Sequence, residues 1–568
     1  MVHEFATILL SVICLLIYVS IIAVMAKAKN KDLVSAILLV TVCGELFFSS
    51  IVSIDDFDKD VGFTTYQSYN EFQTMFRPIT ETLTEEYDSS FYRFEKTYHR
   101  KLNDNMALDI RGLSNSTSTL NKSTINFLQA MGYYSKSHKS QYTGGSVAID
   151  SFLGLKYIIS NRDYSPLYGD PVLTGKDYAK YLGISEQELH DKTVATKYKN
   201  YATGEYFSSL DFNVYKNPYA LSIAFASSRD ILDVNMKKHN VYTAEDAKDY
   251  NQLYNPDGYT NPFARFNAMI TAILGEDETV EIFKPAIQNG DPALVNVKHT
   301  NSTTGHDLYR KVNKDSAGTI TYNYTVPEGE MLYLFFPAHY NRQIRLSSAT
   351  MSIFDTTRED GTIRKNSFNY DYCDDRIVEL GYAPGIEYEL TVTIDNTSNE
   401  FYTKPEDAFI YYVDMELFEE TFKKLQENQL VLNGEYEEDD LSGKLKTSKN
   451  DQFILTTIAY DEGWNVYVDG KRVEVEEACG ALLAFTVDTA GEHDIRLVYR
   501  SSAFKIGIII SATALAAFVL IIIFEKKLKK ISLIAYYFDV KDPRVKAEPI
   551  AKAVSKAKND HENGESGK

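Results

Sequence analysis

Few residues in this chain of 568 have types and spacing that could do chemistry. Trp464 is the single tryptophan, placed between Gly463 and the dipeptide Asp469-Gly470. An indole can stack on a sugar ring, so Trp464 and the nearby Asp469 are candidate glycan contacts; packing is the plainer role for a tryptophan on a strand. Glu45 lies within an apolar run, where an ionisable group is costly and marks a functional or partner-facing position. The alternative is a protonated carboxyl turned into a helix bundle. Asp371-Tyr-Cys373-Asp374-Asp375-Arg376 clusters acids that could meet a metal, or form a polar loop. Asp56, Asp58 and Asp60 alternate like the start of a calcium loop, but Val61 and Gln67 stand where the glycine and the bidentate glutamate are needed. A solvated loop leaving a membrane is the reading that remains. The run Thr143-Gly-Gly-Ser146 is too short for a phosphate cradle and reads as a turn. No nucleophile-elbow, zincin, Walker or dinucleotide fingerprint is present, so no catalytic residue, metal site or cofactor is assigned.

Those residues must be positioned by a chain anchored in a membrane. Phe504 to Phe524 is an apolar run long enough to cross a bilayer as a helix. Lys526, Lys527, Lys529 and Lys530 follow it and mark its cytoplasmic end. Two more apolar runs, 5–26 and 33–54, flank a turn holding Lys27, Lys29 and Lys31, which gives a helical hairpin with its turn in the cytoplasm. The first run is too long for a signal peptide and lacks a basic leader. Residues 55–503 are then outside the membrane. A chain opening outside with no earlier span reads as the tail of a longer polytopic protein, or as the partner of a separate N-terminal half.

The formal charge of −20 concentrates in that exterior part, because both cytoplasmic segments are lysine-rich. Such a surface repels nucleic acid and anionic lipid. There are 41 tyrosines, which suit β-rich packing and also line carbohydrate sites. Of four cysteines, Cys14 and Cys43 fall in spans; Cys373 and Cys479 fall outside and could pair, although nothing in the spacing brings them together. Sequons at Asn115, Asn301 and Asn396 have meaning only in a eukaryotic secretory route.

The expected fold is a membrane-anchored α+β protein: three transmembrane helices and a large extracytoplasmic region, mixed α/β first and β-sandwich-like after about residue 295. The expected divisions are a hairpin (1–54), a mixed α/β domain (55–294), a β-sandwich-like domain (295–412), a linking helix (413–430), a membrane-proximal β module (431–503), a span (504–524) and a partly disordered basic tail (525–568). Residues 68–100, 173–200 and 260–289 read as helical, and Phe152 to Ile159 as a buried strand. In the linking helix, Met415, Phe418, Phe422 and Leu425 share one face, with Glu419–Lys423 and Glu420–Lys424 as pairs on another. The acids at 435 and 437–440 read as a solvated loop. Asp469-Gly470 between alternating valines predicts a hairpin, because both turn positions tolerate positive φ.

A set of segments in fixed order resembles the YfhO family of bacterial membrane proteins. They are Tyr92-Arg93-Phe94-Glu95, Asn103-Asp104, Met131-Gly132-Tyr133, Asp150 through Lys156-Tyr157 to Ser160, Asn217 to Phe225 and Asn261-Pro-Phe263. Asp375-Arg376 to Gly381 and Gly463-Trp464 to Lys471 complete the set. The likeness spans nearly the whole chain but only the C-terminal portion of the family pattern. It implies a GT-C type glycosyltransferase that moves a sugar from a polyprenyl phosphate, outside the cell, onto a wall polymer such as lipoteichoic acid. In that pattern the catalytic acid lies in a first exterior loop that precedes this chain, so no catalytic residue transfers. An acid at the membrane mouth, Asp55 or Asp56, could in principle act as a base toward an acceptor hydroxyl. The alternatives are a non-enzymatic, membrane-anchored wall- or glycan-binding scaffold, and a subunit completed by a separately encoded N-terminal half. The expected partners are the lipid bilayer, the carrier-linked sugar, the wall polymer and that missing half.

Overall fold

The computed structural model describes residues 2–528, apart from 62–64, 84–91, 98, 100, 137, 161, 197, 200–205, 208–211, 235, 237–260, 302–306, 336–343, 351–364, 370–375, 383–386, 395–398, 404–407 and 435–436. Two helices open the chain, Val2–Lys27 and Lys31–Val61. Asn30 caps the second, its Oδ1 accepting the Leu33 amide at 3.2 Å. Among the described residues, two helical stretches are long and apolar enough to cross a membrane, Asp32–Ile51 and Ser502–Phe524. Among the described side chains of the first helix, the apolar stretch is Cys14–Met25. Asp32–Ile51 and Ser502–Phe524 are almost wholly exposed, whereas the core helix of a soluble protein hides its apolar face. The second helix also runs past the expected exit at Asp55. No glycine or proline interrupts it between Gly44 and Gly62, so Asp55, Asp56, Asp58 and Asp60 lie on helix rather than in a loop. Their side chains fall outside the described residues, as do Asp371 to Asp375.

The mixed region is built on a four-stranded sheet ordered Arg93–Lys96, Leu155–Ser160, Asn213–Lys216, Leu173–Thr174. The expected helix over 68–100 is therefore two elements: a helix, Tyr66–Thr82, and the strand Arg93–Lys96, which runs parallel to Leu155–Ser160. The buried strand begins at Leu155 because Val147–Phe152 is a short helix, and Gly154 turns between them at φ 70°. A Cβ on Gly154 would lie 2.7 Å from the Leu221 carbonyl oxygen. The helical pattern after 173 forms two helices, Gly175–Tyr181 and Glu186–Thr196, parted by Gly183 at φ 67°. The third expected helix stops early, as Pro262–Leu274. Asn261 caps its start, proline follows, and Gly275 ends it in the left-handed region. Residues after it enter strands Phe283–Pro285 and Ile287–Gln288.

Beyond 295 the alternating segments form antiparallel strands. Gly318–Thr325 and Glu387–Ile394 pair along their whole length, each burying every second residue. A second sheet orders Phe283–Pro285, Ile410–Val413, Met331–Phe335 and Ile377–Tyr382. Ile320, Tyr322, Leu390 and Val392 meet Leu332, Leu334 and Ile410 in one apolar cluster. The helix Met415–Gln426 buries Phe418, Phe422 and Leu425, as its periodicity predicts. Its acids reach across the molecule rather than along the helix. Glu419 Oε1 accepts from Tyr219 Oη at 2.7 Å, and Lys424 lies 3.4 Å from Glu276.

The final module holds two sheets around Leu441, Leu445, Ile454, Val466, Leu483, Phe485 and Leu497. One sheet takes in Ala224–Ser227 from far earlier in the chain, antiparallel to Gln452–Ala459. The predicted hairpin forms: Trp464–Val468 pairs with Lys471–Val473, with Asp469 at φ 49° and Gly470 at φ 79°. Glu437, Glu438 and Asp439 before it are exposed, as expected of a solvated loop, and three of the acids there also pair with arginines. Glu438 meets Arg111 at 2.6 Å, Asp439 meets Arg500 at 2.5 Å, and Asp440 meets Arg496 at 2.5 Å. Gly491–Tyr499 then leads into the helix Ser502–Leu528.

Gly470 has open space around its missing Cβ, whereas Gly154 faces backbone. Replacing Gly470 by alanine is expected to cost about 1 kcal/mol, the left-handed backbone penalty alone. Gly154→Ala is expected to cost clearly more, because a clash is added. Thermal unfolding of the detergent-solubilised chain compares the two, and equal losses would contradict the assignment.

Candidate functional site

A pocket of about 350 Å³ opens between the mixed region and the final module. Leu113, Leu120, Ile125 and Leu128 wall one side, and Leu441, Ile458, Ala481 and Leu482 the other. Its polar lining is Arg93, Asn115, Thr124, Ser140, Thr457 and Glu438, and Phe127 and Trp464 form part of the wall. The hairpin that places Trp464 also packs the indole edge-on against Tyr499, with ring centroids 5.3 Å apart. Glu438 is held at the rim by Arg111.

Arg93 closes the floor. Its Nη1 donates to Leu153 O at 2.5 Å and to Thr457 Oγ1 at 2.8 Å, and its Nη2 donates to Thr457 O at 2.9 Å. Burial lowers its pKa to about 10, which leaves it charged at neutral pH. Asn115 differs from these groups. Its Oδ1 is buried and, among the described residues, has no hydrogen-bond partner.

The two expected glycan contacts are thus separated. Trp464 lines the pocket, while Asp469 lies at the hairpin tip and accepts from His493 Nδ1 at 2.8 Å and from the Asp494 amide at 2.9 Å. The first of these bonds holds Asp469 below the usual carboxylate range and raises His493. Glu45 has found a partner within the hairpin, because Tyr18 Oη donates to its carboxylate. Cys479 is a buried thiol, pushed up to about 12 by burial; Cys373 lies outside the described residues.

Sequence spacing gave no sign of two polar clusters behind the pocket. In the first, Glu95 Oε1 accepts from Asn105 Nδ2 at 2.7 Å and from the Ser114 amide at 2.6 Å. Lys96 Nζ donates to Asn105 Oδ1 at 3.1 Å and lies 3.8 Å from Asp104. His99 is held well below its ordinary pKa by burial and by Lys96. It therefore donates through Nε2 to Tyr142 O at 2.6 Å and accepts from Lys96 through Nδ1 at 3.3 Å. In the second cluster, Asp150 accepts from Tyr133 at 2.5 Å and Tyr142 at 2.7 Å. Glu379 accepts from Tyr164 at 2.5 Å and pairs with Arg162 at 3.2 Å. The glycine run at 143–146 wraps these acids: a Cβ on Gly145 would lie 2.2 Å from Asp150 Oδ1.

Burial raises Asp150 to about 7 despite its two tyrosine donors. The folded state therefore holds this proton more tightly than the unfolded chain does, where the value is near 3.8. The sign follows: stability falls as pH rises from about 4 through about 7, by up to about 4 kcal/mol from this group. Asp150→Asn is expected to flatten that decline in melting temperature between pH 5 and 8. An unchanged slope would show that the carboxyl is ionised throughout.

A family model described as bacterial membrane protein YfhO matches residues 2–511. An uncharacterized protein YfhO of Bacillus subtilis strain 168 is 31% identical over 144 residues, which are 24% of this chain and 16% of that protein. Among solved structures, the mycobacterial arabinofuranosyltransferase AftD overlaps 30% of this chain and 13% of its own at 12% identity and TM-score 0.12. A conserved protein of unknown function from Pseudomonas aeruginosa overlaps 37% and 93% at 10% identity and TM-score 0.10. At these TM-scores neither likeness bears on fold or activity. The family match takes in Asp32–Ile51, the start of Ser502–Phe524, the pocket walls and both buried clusters, and by it this chain belongs to the YfhO family of bacterial membrane proteins.

Proposed function

We propose that this chain is the membrane-anchored, extracytoplasmic portion of a glycosyltransferase-related protein, and that its pocket seats part of an acceptor polymer. The observation behind this reading is the pocket itself. It is concave, its walls come from two distant parts of the chain, and one wall stands at the foot of an apolar helix. Trp464 pairs with Tyr499, and Ser502 begins that helix. A polymer held there lies close to a carrier lipid in the bilayer. The four lysines after the helix favour a cytoplasmic tail and hence an exterior body. Three spans, with the hairpin meeting further spans of the enzyme through the side that carries Tyr18 and Glu45, complete this arrangement. The two sheets around each late apolar cluster would be sandwich-like units above the membrane. Transfer itself, from a polyprenyl-phosphate sugar onto a polymer such as lipoteichoic acid, would use a carboxylate in an exterior loop between those further spans.

Two measurements test this. Protease added to intact cells is expected to cut between residues 65 and 500, and cutting only in inverted vesicles would remove the exterior placement. Detergent-solubilised chain is expected to retain purified wall polymer, with retention falling several-fold in Trp464→Phe at unchanged melting temperature. Equal retention by the variant would take the pocket out of the reading. Retention without any sugar transfer, even with the N-terminal part of a family member added, would favour the non-enzymatic scaffold.

A further inference from the structure

We infer that the pocket beside Trp464 takes the hydrocarbon chain of a lipid, and neither a sugar ring nor a phosphate. The inference rests on the pocket being a ligand site, as proposed above, and adds which part of a ligand enters it.

The first observation is the lining. Phe127, Leu128, Leu153, Leu441 and Leu482 line the pocket, each at most 5% exposed, with the half-buried indole of Trp464 beside them. An apolar cavity stays dry and favours an apolar occupant. Much of the polar lining is turned elsewhere. Arg93 directs Nη1 and Nη2 onto Leu153 O and Thr457. Ser140 Oγ accepts from Ser135 Oγ at 2.9 Å. Glu438 is paired with Arg111 through both Nε and Nη2 of the guanidinium. Asn115 Oδ1 is sealed from solvent and so lies out of a ligand's reach. A sugar ring entering here would give up water around its hydroxyls for aliphatic side chains. A phosphate would lose its hydration in the same surroundings, beside the carboxylate of Glu438. A methylene chain gives up no hydrogen bond on entering.

The second observation is position. Trp464 pairs with Tyr499, and the helix able to cross a membrane begins at Ser502. A bilayer therefore holds lipid chains only a few residues away from this wall. A chain that moves from bilayer to pocket exchanges one apolar surrounding for another, whereas a sugar or phosphate must leave water. The volume, about 350 Å³, is at the small end for ligand pockets, which suits a length of one chain rather than a whole lipid.

The sole tryptophan lines this pocket, so quenching of its fluorescence reports a brominated chain inside. The probe is a monoglyceride carrying 9,10-dibromostearate, titrated into the full chain in nanodiscs of unbrominated phosphatidylcholine. Emission is expected to fall and saturate, and the unbrominated monoglyceride to restore it. Glucose and glycerol phosphate at millimolar concentration are expected neither to change the emission nor to compete. Ala459→Phe fills the pocket from a half-buried position on its wall and is expected to cut the quenching several-fold at unchanged melting temperature. If that variant unfolds early, Thr124→Phe, on the helix Lys122–Ala130 of the opposite wall, asks the same question. Quenching that survives both fillings comes from the surrounding bilayer and overturns the inference. Wall polymer with its lipid end intact, tested against the same polymer after alkaline deacylation, identifies the source. Competition by the intact form alone assigns the chain to the acceptor, and competition by neither, with the monoglyceride still competing, assigns it to a bilayer lipid. If glucose or glycerol phosphate changes the emission and the monoglyceride does not, the ligand class is wrong while the pocket remains a site. If no probe acts, and Trp464→Phe also retains wall polymer as wild type does, both readings fall.

Discussion

A guanidinium closed into a seam holds the folded body together. Arg93 stands on the edge strand of the mixed sheet, yet three of its bonds run to Leu153 and to Thr457, 364 positions later. Leu153 is the residue that ends the helix Val147–Phe152, where carbonyls lack intrahelical partners. Thr457 belongs to the strand that also takes in Ala224–Ser227. One planar fork thus satisfies a helix end and ties a sheet of the mixed region to a sheet of the final module. Lysine could not replace it, because a single ammonium presents no such fork to groups on two different elements. The pocket exists because this contact holds the two sides at a fixed separation.

The segments that carry the family resemblance have a structural explanation in the same terms. Glu95 of one motif and the adjoining Lys96 meet Asp104 of the next and the adjoining Asn105. Tyr133 meets Asp150, and the Gly132 carbonyl accepts the Ile377 amide at 2.7 Å, just before Glu379. A Cβ on Gly132 would lie 2.5 Å from Ile377, so glycine is required where the two motifs cross. These are charges and amides inside a core, and each needs a partner or the fold fails. The abundance of tyrosine then has a cause besides sheet packing. A phenol donates to a buried carboxylate while its ring fills apolar volume, and Tyr133, Tyr142 and Tyr164 all do so.

Local signals were legible in the sequence, and meetings between distant segments were not. The Asp469-Gly470 hairpin, the face of Met415–Gln426 and the alternation in Glu387–Ile394 are periodic or turn-coded over a few residues, and each forms. Glu45 was legible as costly in an apolar run, but its partner Tyr18, 27 residues earlier, had no spacing to reveal it. The Asp150 and Glu379 cluster is the extreme case. Its members come from four stretches between Tyr133 and Glu379, and only tertiary packing assembles them. The acids at 437–439 face solvent as the sequence suggests, but the arginines that pair with Glu438, Asp439 and Asp440 (Arg111, Arg500 and Arg496) lie far off in sequence, with no spacing to reveal them. The helix expected over 68–100 failed because Arg93–Lys96 has a pairing partner in Leu155–Ser160, and sheet pairing outweighs local propensity.

Register fixes how the pocket relates to the apolar helix. Trp464 pairs with Tyr499, and the Arg500 amide donates to Gly463 O at 2.8 Å. Slipping that pairing by one residue would turn Val466 and Val468 out of the core, so the strand cannot slide. Only Arg500 and Ser501 separate it from the helix beginning at Ser502. A flexible linker would let the helix move without the pocket; two residues, one of them held by Gly463 and by Asp439, give no such freedom. A tilt of Ser502–Leu528 must therefore reach Trp464 through paired backbone. The opposite wall, around Leu120 and Leu128, is tied to that side by Arg93 and by Arg111 with Glu438, not by the helix. The two walls thus answer to different anchors.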